Sequence, residues 1–145
     1  MAEIVVGVDG SEHSVDALRW AATEAQLRKA RLKVVASFAT PIMSTGYEVA
    51  SPDPSDLAAA SNTMLGAAID TIRSEGLFDG VDIVTEALEG HAGEQLIRLS
   101  EHAELLVVGA RGHGGFLGLL MGSVTTYVVN HALCPVVVVR NRSDS

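Results

Sequence analysis

Cysteine is almost absent from this 145-residue chain. Cys134 is the only one, which excludes an intramolecular disulfide and a cysteine-built metal cage and fits a reducing compartment. Cations are scarce as well: ten Lys and Arg stand against eighteen Asp and Glu, a formal net charge of −8. A negative field attracts neither nucleic acid nor an anionic membrane surface, so neither is an expected partner. Any phosphate bound here must be held by local geometry. No apolar run approaches the roughly 18 residues that span a bilayer. The chain opens Met1-Ala2-Glu3 directly into a strand pattern, without the basic segment and apolar core of a signal peptide. The expected location is cytoplasmic.

Several signatures of nucleotide and metal chemistry are missing too. No Gly-Lys-Ser or Gly-Lys-Thr follows a glycine loop, so no Walker lysine can reach β and γ phosphates and fast phosphoryl transfer is not expected. The first strand ends Val8-Asp9-Gly10-Ser11, not in the G-x-G-x-x-G of a dinucleotide site. That loop also lacks the Ser-Gly-Gly-x-Asp-Ser segment of ATP pyrophosphatases, which sets adenylation aside. His13, His91, His102, His113 and His131 form no i,i+4 pair and do not cluster with Cys134, so solvated or packing roles are expected of them. Cys134 precedes Pro135 in an apolar setting and reads as a buried, inert thiol. The one basic cluster, Arg28, Lys29, Arg31 and Lys33, sits where the first helix ends and complements its dipole.

What the chain does have is regular alternation of strand and helix patterns, the mark of a parallel sheet wrapped by helices. Strands are expected at 4–8, 32–38, 81–87, 105–109 and 135–140. The third alternates more than the others, which suits a place near an edge, and Pro135 suits a strand start. Ser11 caps a first helix carrying Val15, Leu18, Ala22 and Ala25. Asp53-Pro54 reads as an N-cap with proline at the first helical position. Its helix carries Leu57, Met64, Leu65, Ala68, Ile69 and Ile72 on one face, with Gly76 as terminator. A third helix runs past Ala92, Leu96 and Leu99, and a fourth covers 124–132. The expected fold is a single α/β domain over residues 1–145, a three-layer sandwich with five parallel strands and four helices. Residues 141–145 form a polar tail, and 39–53 form the one long loop.

The chemistry concentrates between the fourth strand and the fourth helix. Gly109-Ala110-Arg111-Gly112 is followed, after nine residues, by Gly122-Ser123. Glycines let backbone N–H groups approach an anion, and a helix N-terminus adds unpaired donors and a partial positive charge. Ser123, with the N–H groups of Val124 and Thr125, could hold terminal phosphate oxygens or act as an ordinary N-cap. Arg111 could pair with phosphate or lie on the surface. The loop 113–121 carries Phe116, Leu117, Leu119, Leu120 and Met121 and either wraps phosphates or packs as a core turn. If strands one and four flank the point where strand order reverses, the loop after Val8 faces this glycine loop across one crevice. Asp9 could there accept hydrogen bonds from a ribose or base, or serve only as a turn residue.

The spacing G-x2-G-x9-G-S from Gly109 to Ser123 resembles the nucleotide-binding signature of the universal stress protein family. The likeness extends from residues 4–11 to residues 131–139. It implies a Rossmann-like sheet of the adenine nucleotide alpha hydrolase type, ATP as ligand, and homodimers through the last strand, Val136 to Arg140. An exposed Val-rich edge would otherwise invite aggregation. Carried onto this chain, Gly7, Val8 and Asp9 would line the adenosine and Ala36 and Ser37 would touch the adenine. Gly109 and Gly112 would admit the phosphates, and Gly122, Ser123, Val124 and Thr125 would hold their far end. Gly90-His91-Ala92 departs from many relatives, outside the phosphate motif. The leading expectation is an ATP-binding, dimeric stress-response regulator. Alternatives are a nucleotide-independent dimeric interaction module, a binder of AMP or cyclic AMP, and slow ATP hydrolysis with Mg2+ held between the phosphates and Asp9.

Overall fold

Branched Val and Ile dominate the strand segments, and such side chains suit a pleated surface covered on both faces. The computed structural model describes residues 2–39, 53–111 and 121–141. Its strands are β1 (Glu3–Gly7), β2 (Arg31–Phe38), β3 (Ile83–Glu89), β4 (Leu105–Gly109) and β5 (Val136–Val139). All pair in parallel, in the order β3-β2-β1-β4-β5. Helices α1 (Glu12–Arg28), α2 (Pro54–Arg73), α3 (Ala92–Ser100) and α4 (Ser123–His131) complete the expected α/β fold. Gly112, most of the loops at 39–53 and 113–121, and the tail from 142 lie outside the described residues.

Strand side chains alternate between faces, and that sorts the helices into two layers. Ile4, Val6, Leu32, Val34, Leu105 and Val107 share one face with Leu18 of α1 and Leu65, Ile69 and Ile72 of α2. Val5, Val35, Leu106 and Val108 share the other with Leu96 of α3 and Val128 of α4. Each such aliphatic side chain contributes about 1.5–3 kcal/mol when fully buried. Ala17, Ala21, Ala22 and Ala25 give α1 a row of small buried residues, so its backbone lies close over the sheet. The approach is tightest at Gly109, where a Cβ would lie 2.7 Å from both the carbonyl carbon and the oxygen of His13.

Ser11 and Asp53 cap α1 and α2 as expected, accepting from Ser14 N and Ser55 N. The Ser55 bonds also hold the Asp53 carboxyl below its ordinary pKa. Other boundaries shift. β1 runs one residue earlier at each end than expected, although Val8 N still donates to Val35 O at 2.8 Å. β2 gains Arg31. β3 starts two residues late, because Phe78 is buried in the preceding turn and Val81 N is tied to Phe78 O. α2 ends at Arg73, one residue past its last buried contact, Ile72, and Gly76 lies in the turn beyond with φ +74°. β5 excludes Pro135 and Arg140, since β4 ends at Gly109, opposite Val139. The basic cluster divides: Arg28 and Lys29 end α1, while Arg31 and Lys33 lie on β2 and pair with Asp82 and Glu86.

Replacing Gly109 with Ala should therefore destabilise the ligand-free protein by about 1–3 kcal/mol, the range for overpacking. Urea denaturation checks this; an unchanged midpoint would mean that α1 sits further from β4.

Candidate functional site

β1 and β4 are neighbours, yet α1 leads away to β2 on one side and α4 to β5 on the other. A crevice opens at their carboxyl ends, the usual ligand position in such sheets. It is a cleft of about 990 Å³. Gly7, Val8 and Asp9 line it from β1, Ala36 and Ser37 from β2, and Gly109 and Arg111 from β4. Gly122, Ser123, Val124 and Thr125 line it from the start of α4. The sequence-predicted residues thus converge, apart from Gly112, which lies outside the described residues.

Two of the helices that begin here, α1 and α4, have opposite termini. The α1 end is capped by a side chain: Asp9 Oδ1 accepts from Ser11 N at 2.9 Å, the N-cap Ser11 Oγ accepts from Ser14 N, and Ser14 Oγ accepts from Asp9 N at 3.2 Å. At α4 the N-cap is Gly122, with no side-chain cap. Ser123 is therefore the first helical residue and not the cap. The Gly122 carbonyl takes Thr126 N at 3.0 Å, which leaves the N–H groups of Ser123, Val124 and Thr125 without intrahelical acceptors. These three donors and the helix dipole make the α4 end suited to an anion.

The α4 end is anchored by side chain and main chain. Thr125 Oγ1 donates to Gly109 O at 2.7 Å from a buried position, and Gly122 N donates to Ala110 O at 2.8 Å. The Thr125 hydroxyl is thus committed to β4, so only its N–H is available to a ligand. Gly109 has a packing reason to be glycine, the His13 backbone, beside any role in admitting phosphate.

On the opposite wall β2 outruns β1. Gly7 is the last β1 partner, opposite Val35, while Ala36, Ser37 and Phe38 pair only with β3. Val35 O faces β1, where it takes Val8 N, and Phe38 O faces β3, where it takes Gly90 N. By alternation Ser37 turns its N–H and C=O to the β1 side, into the gap left as the chain bends at Gly10. One donor and one acceptor therefore stand side by side above an apolar surface of Phe38, Leu57 and Met64.

Among the described residues, Arg111 is the one Lys or Arg on the cleft wall and Asp9 the one Asp or Glu. Arg111 is thus part of the site wall. No group of three or more His, Cys, Asp or Glu among the described residues could hold a metal ion, and no described helix is long and apolar enough to cross a membrane. Cys134 is half-buried, and that burial raises its thiol pKa. Sequence reasoning missed Ser14, Phe38, Tyr127, Asn130 and His131, all on the cleft wall. The spacing of Ser123, Tyr127 and His131 at i, i+4 and i+8 was the available signal for the last group.

A doubly wound parallel sheet with an uncapped helix N-terminus at its switch point defines a nucleotide-site type of α/β domain. The chain matches the model of the Universal stress protein family over residues 1–140, and it belongs to that family. Universal stress protein Rv2623 of Mycobacterium tuberculosis is 34% identical over 145 residues, covering 97% of this chain and 48% of the relative. The chain spans about half the length of the curated relatives it matches. A solved universal stress protein in complex with cAMP aligns with a TM-score of 0.71 and 27% identity, over 96% of each chain. The universal stress protein of Archaeoglobus fulgidus in complex with dAMP gives a TM-score of 0.70 and 25% identity, over 96% of this chain and 98% of that one.

Thr125→Val should cost about 1–3 kcal/mol, because it leaves a buried carbonyl without its donor. Chemical denaturation measures this; a loss under half of that would mean that the hydroxyl is not what holds α4 to β4.

Proposed function

We propose that this chain binds an adenine nucleotide in the cleft, with ATP as the ligand that its glycine motif favours, and works as a nucleotide-dependent dimeric regulator. The observation that carries the reading is the uncapped N-terminus of α4 facing the overhang of β2 across one crevice. Adenine offers an amino donor beside a ring-nitrogen acceptor, the complement of the Ser37 C=O and N–H. Guanine offers them in the reverse sense. Asp9 lies where a ribose would pass, and the N–H groups of Ser123, Val124 and Thr125 would receive phosphate oxygens. The solved family members in complex with cAMP and dAMP support an adenine nucleotide as the ligand class.

Charge shapes the choice among phosphates. With Arg111 as the one Lys or Arg on the described wall, a bare triphosphate would keep most of its charge uncompensated. ATP would therefore enter with Mg2+, for which Asp9 is the carboxylate on the wall. The same scarcity supports a second reading, AMP or cyclic AMP, which needs the base site and one anion contact. No Walker lysine is present, so slow hydrolysis at most is expected. The dimer would form along β5. Pro135 O and Val139 O accept from β4, so by alternation Val136 and Val138 turn their main-chain groups to the free edge.

Ser123→Asp places a carboxylate at the first turn of α4. It should hold or raise stability by a few tenths of a kcal/mol through the helix dipole, yet weaken ATP at least tenfold in calorimetry. Unchanged ATP affinity in a folded variant would remove the phosphates from α4. Val138→Pro deletes an outward N–H without touching the β4 ladder, a substitution that edge strands tolerate. Light scattering should then show monomer in place of dimer; a mass that stays dimeric would move the interface off β5.

A further inference from the structure

We propose that the cleft takes a dinucleoside polyphosphate, two nucleosides joined through a phosphate chain, with the second base held between α3 and α4. The inference rests on the nucleotide reading above. Its ground is the course of the cleft, which does not end at the first turn of α4. Ser123, Tyr127, Asn130 and His131 follow at i, i+4, i+7 and i+8 along one side of that helix, and all four line the cleft. Ala92 and Leu96 of α3 form the facing wall. From residue 123 to residue 131 the groove runs about 12 Å along the helix axis. Phosphates at the α4 N-terminus would thus stand between two recesses, one at the β2 overhang and one in this groove. A mononucleotide seated at Ser37 fills the first and leaves the second.

The chemistry of the groove is that of a base site. The Tyr127 ring packs so closely on α3 that a Cβ at Gly93 would lie 2.6 Å from it. It also meets the His131 ring, with centroids 4.6 Å apart and planes tilted by 47°. Beside these two contacts Tyr127 is still 42% exposed, and an accessible aromatic surface stacks nucleobases of any identity. Asn130 Nδ2 donates to Thr126 O at 3.0 Å. That bond orients the amide and leaves its Oδ1 as an acceptor for an exocyclic amino group. Among the described residues the groove offers no Lys or Arg, so its occupant is an uncharged heterocycle and not a further phosphate.

Isothermal calorimetry with Mg2+ should compare diadenosine tetraphosphate with ATP on the intact protein. The two carry nearly equal charge, so a difference reports the second nucleoside. Diadenosine tetraphosphate is expected to bind at least tenfold more tightly, at one per chain. Tyr127→Leu keeps apolar bulk against Gly93 while removing the ring, and should cut that advantage to threefold or less with ATP affinity unchanged. Asn130→Ala, which leaves the Gly93 contact intact, should reduce it in the same selective way. Equal affinities of the wild type for the two ligands would overturn the proposal and leave the mononucleotide reading standing. An advantage that survives both variants would overturn it too. Failure of both ligands to bind would remove the nucleotide reading and this inference together.

Discussion

The dipeptide Gly109-Ala110 is the joint on which the site depends. Gly109 has no side chain because the His13 backbone occupies that space, which seats the first turn of α1 on the end of β4. Its carbonyl takes the Thr125 hydroxyl, and Ala110 receives Gly122 N and donates to Val139 O. Two residues thus tie α1, α4 and β5 to one strand end. The N-terminus of α4 is held by hydrogen bonds to buried carbonyls of the kind that cost most to leave unmade.

Charge explains why the site must work this way. Four basic side chains are engaged in ion pairs away from the cleft: Arg19 joins Asp16 and Glu75, Arg28 joins Glu24, Arg31 joins Asp82, and Lys33 joins Glu86. The partners of Arg19 and Arg28 raise their pKa values further. An acidic protein with one Arg on its described cleft wall cannot draw in phosphate by long-range attraction. In the proposed reading, aligned N–H groups at one helix end, which act at contact distance, take that part. The start of α1 carries a side-chain cap and the start of α4 does not, so the α4 terminus is the better suited of the two to an anion.

The fold was legible because its signals are local. Apolar runs bounded by Asp9-Gly10-Ser11 and by Asp53-Pro54 mark elements whose burial and caps follow from period and capping chemistry, and the structure places them within a residue or two. Convergence of Asp9, Ser37, Gly109 and Ser123 also followed, since the carboxyl ends of neighbouring parallel strands must meet. What escaped depends on contacts between distant segments. The packing role of Gly109 needs the position of α1, and the commitment of the Thr125 hydroxyl needs the end of β4. Ser14 looked like one more helix residue until its hydroxyl met Asp9 N. The overhang of β2 depends on where β1 stops, and a strand's own sequence does not state its neighbour's length. Tyr127 and His131 were readable only as a short polar helix face, because α3 is what turns that face into a wall.

The central claim is that a nucleotide lies with its base at Ser37 and its phosphates at the start of α4. Amide chemical shifts of the 15N-labelled protein, titrated in parallel with adenosine and with magnesium ATP, address it most directly. The account predicts that both ligands move Val8 and Ser37, and that ATP alone also moves Ser123, Val124 and Thr125. Shifts confined to the opposite end of the sheet, around Lys29 and Gly80, or an α4 response to adenosine equal to that for ATP, would contradict it.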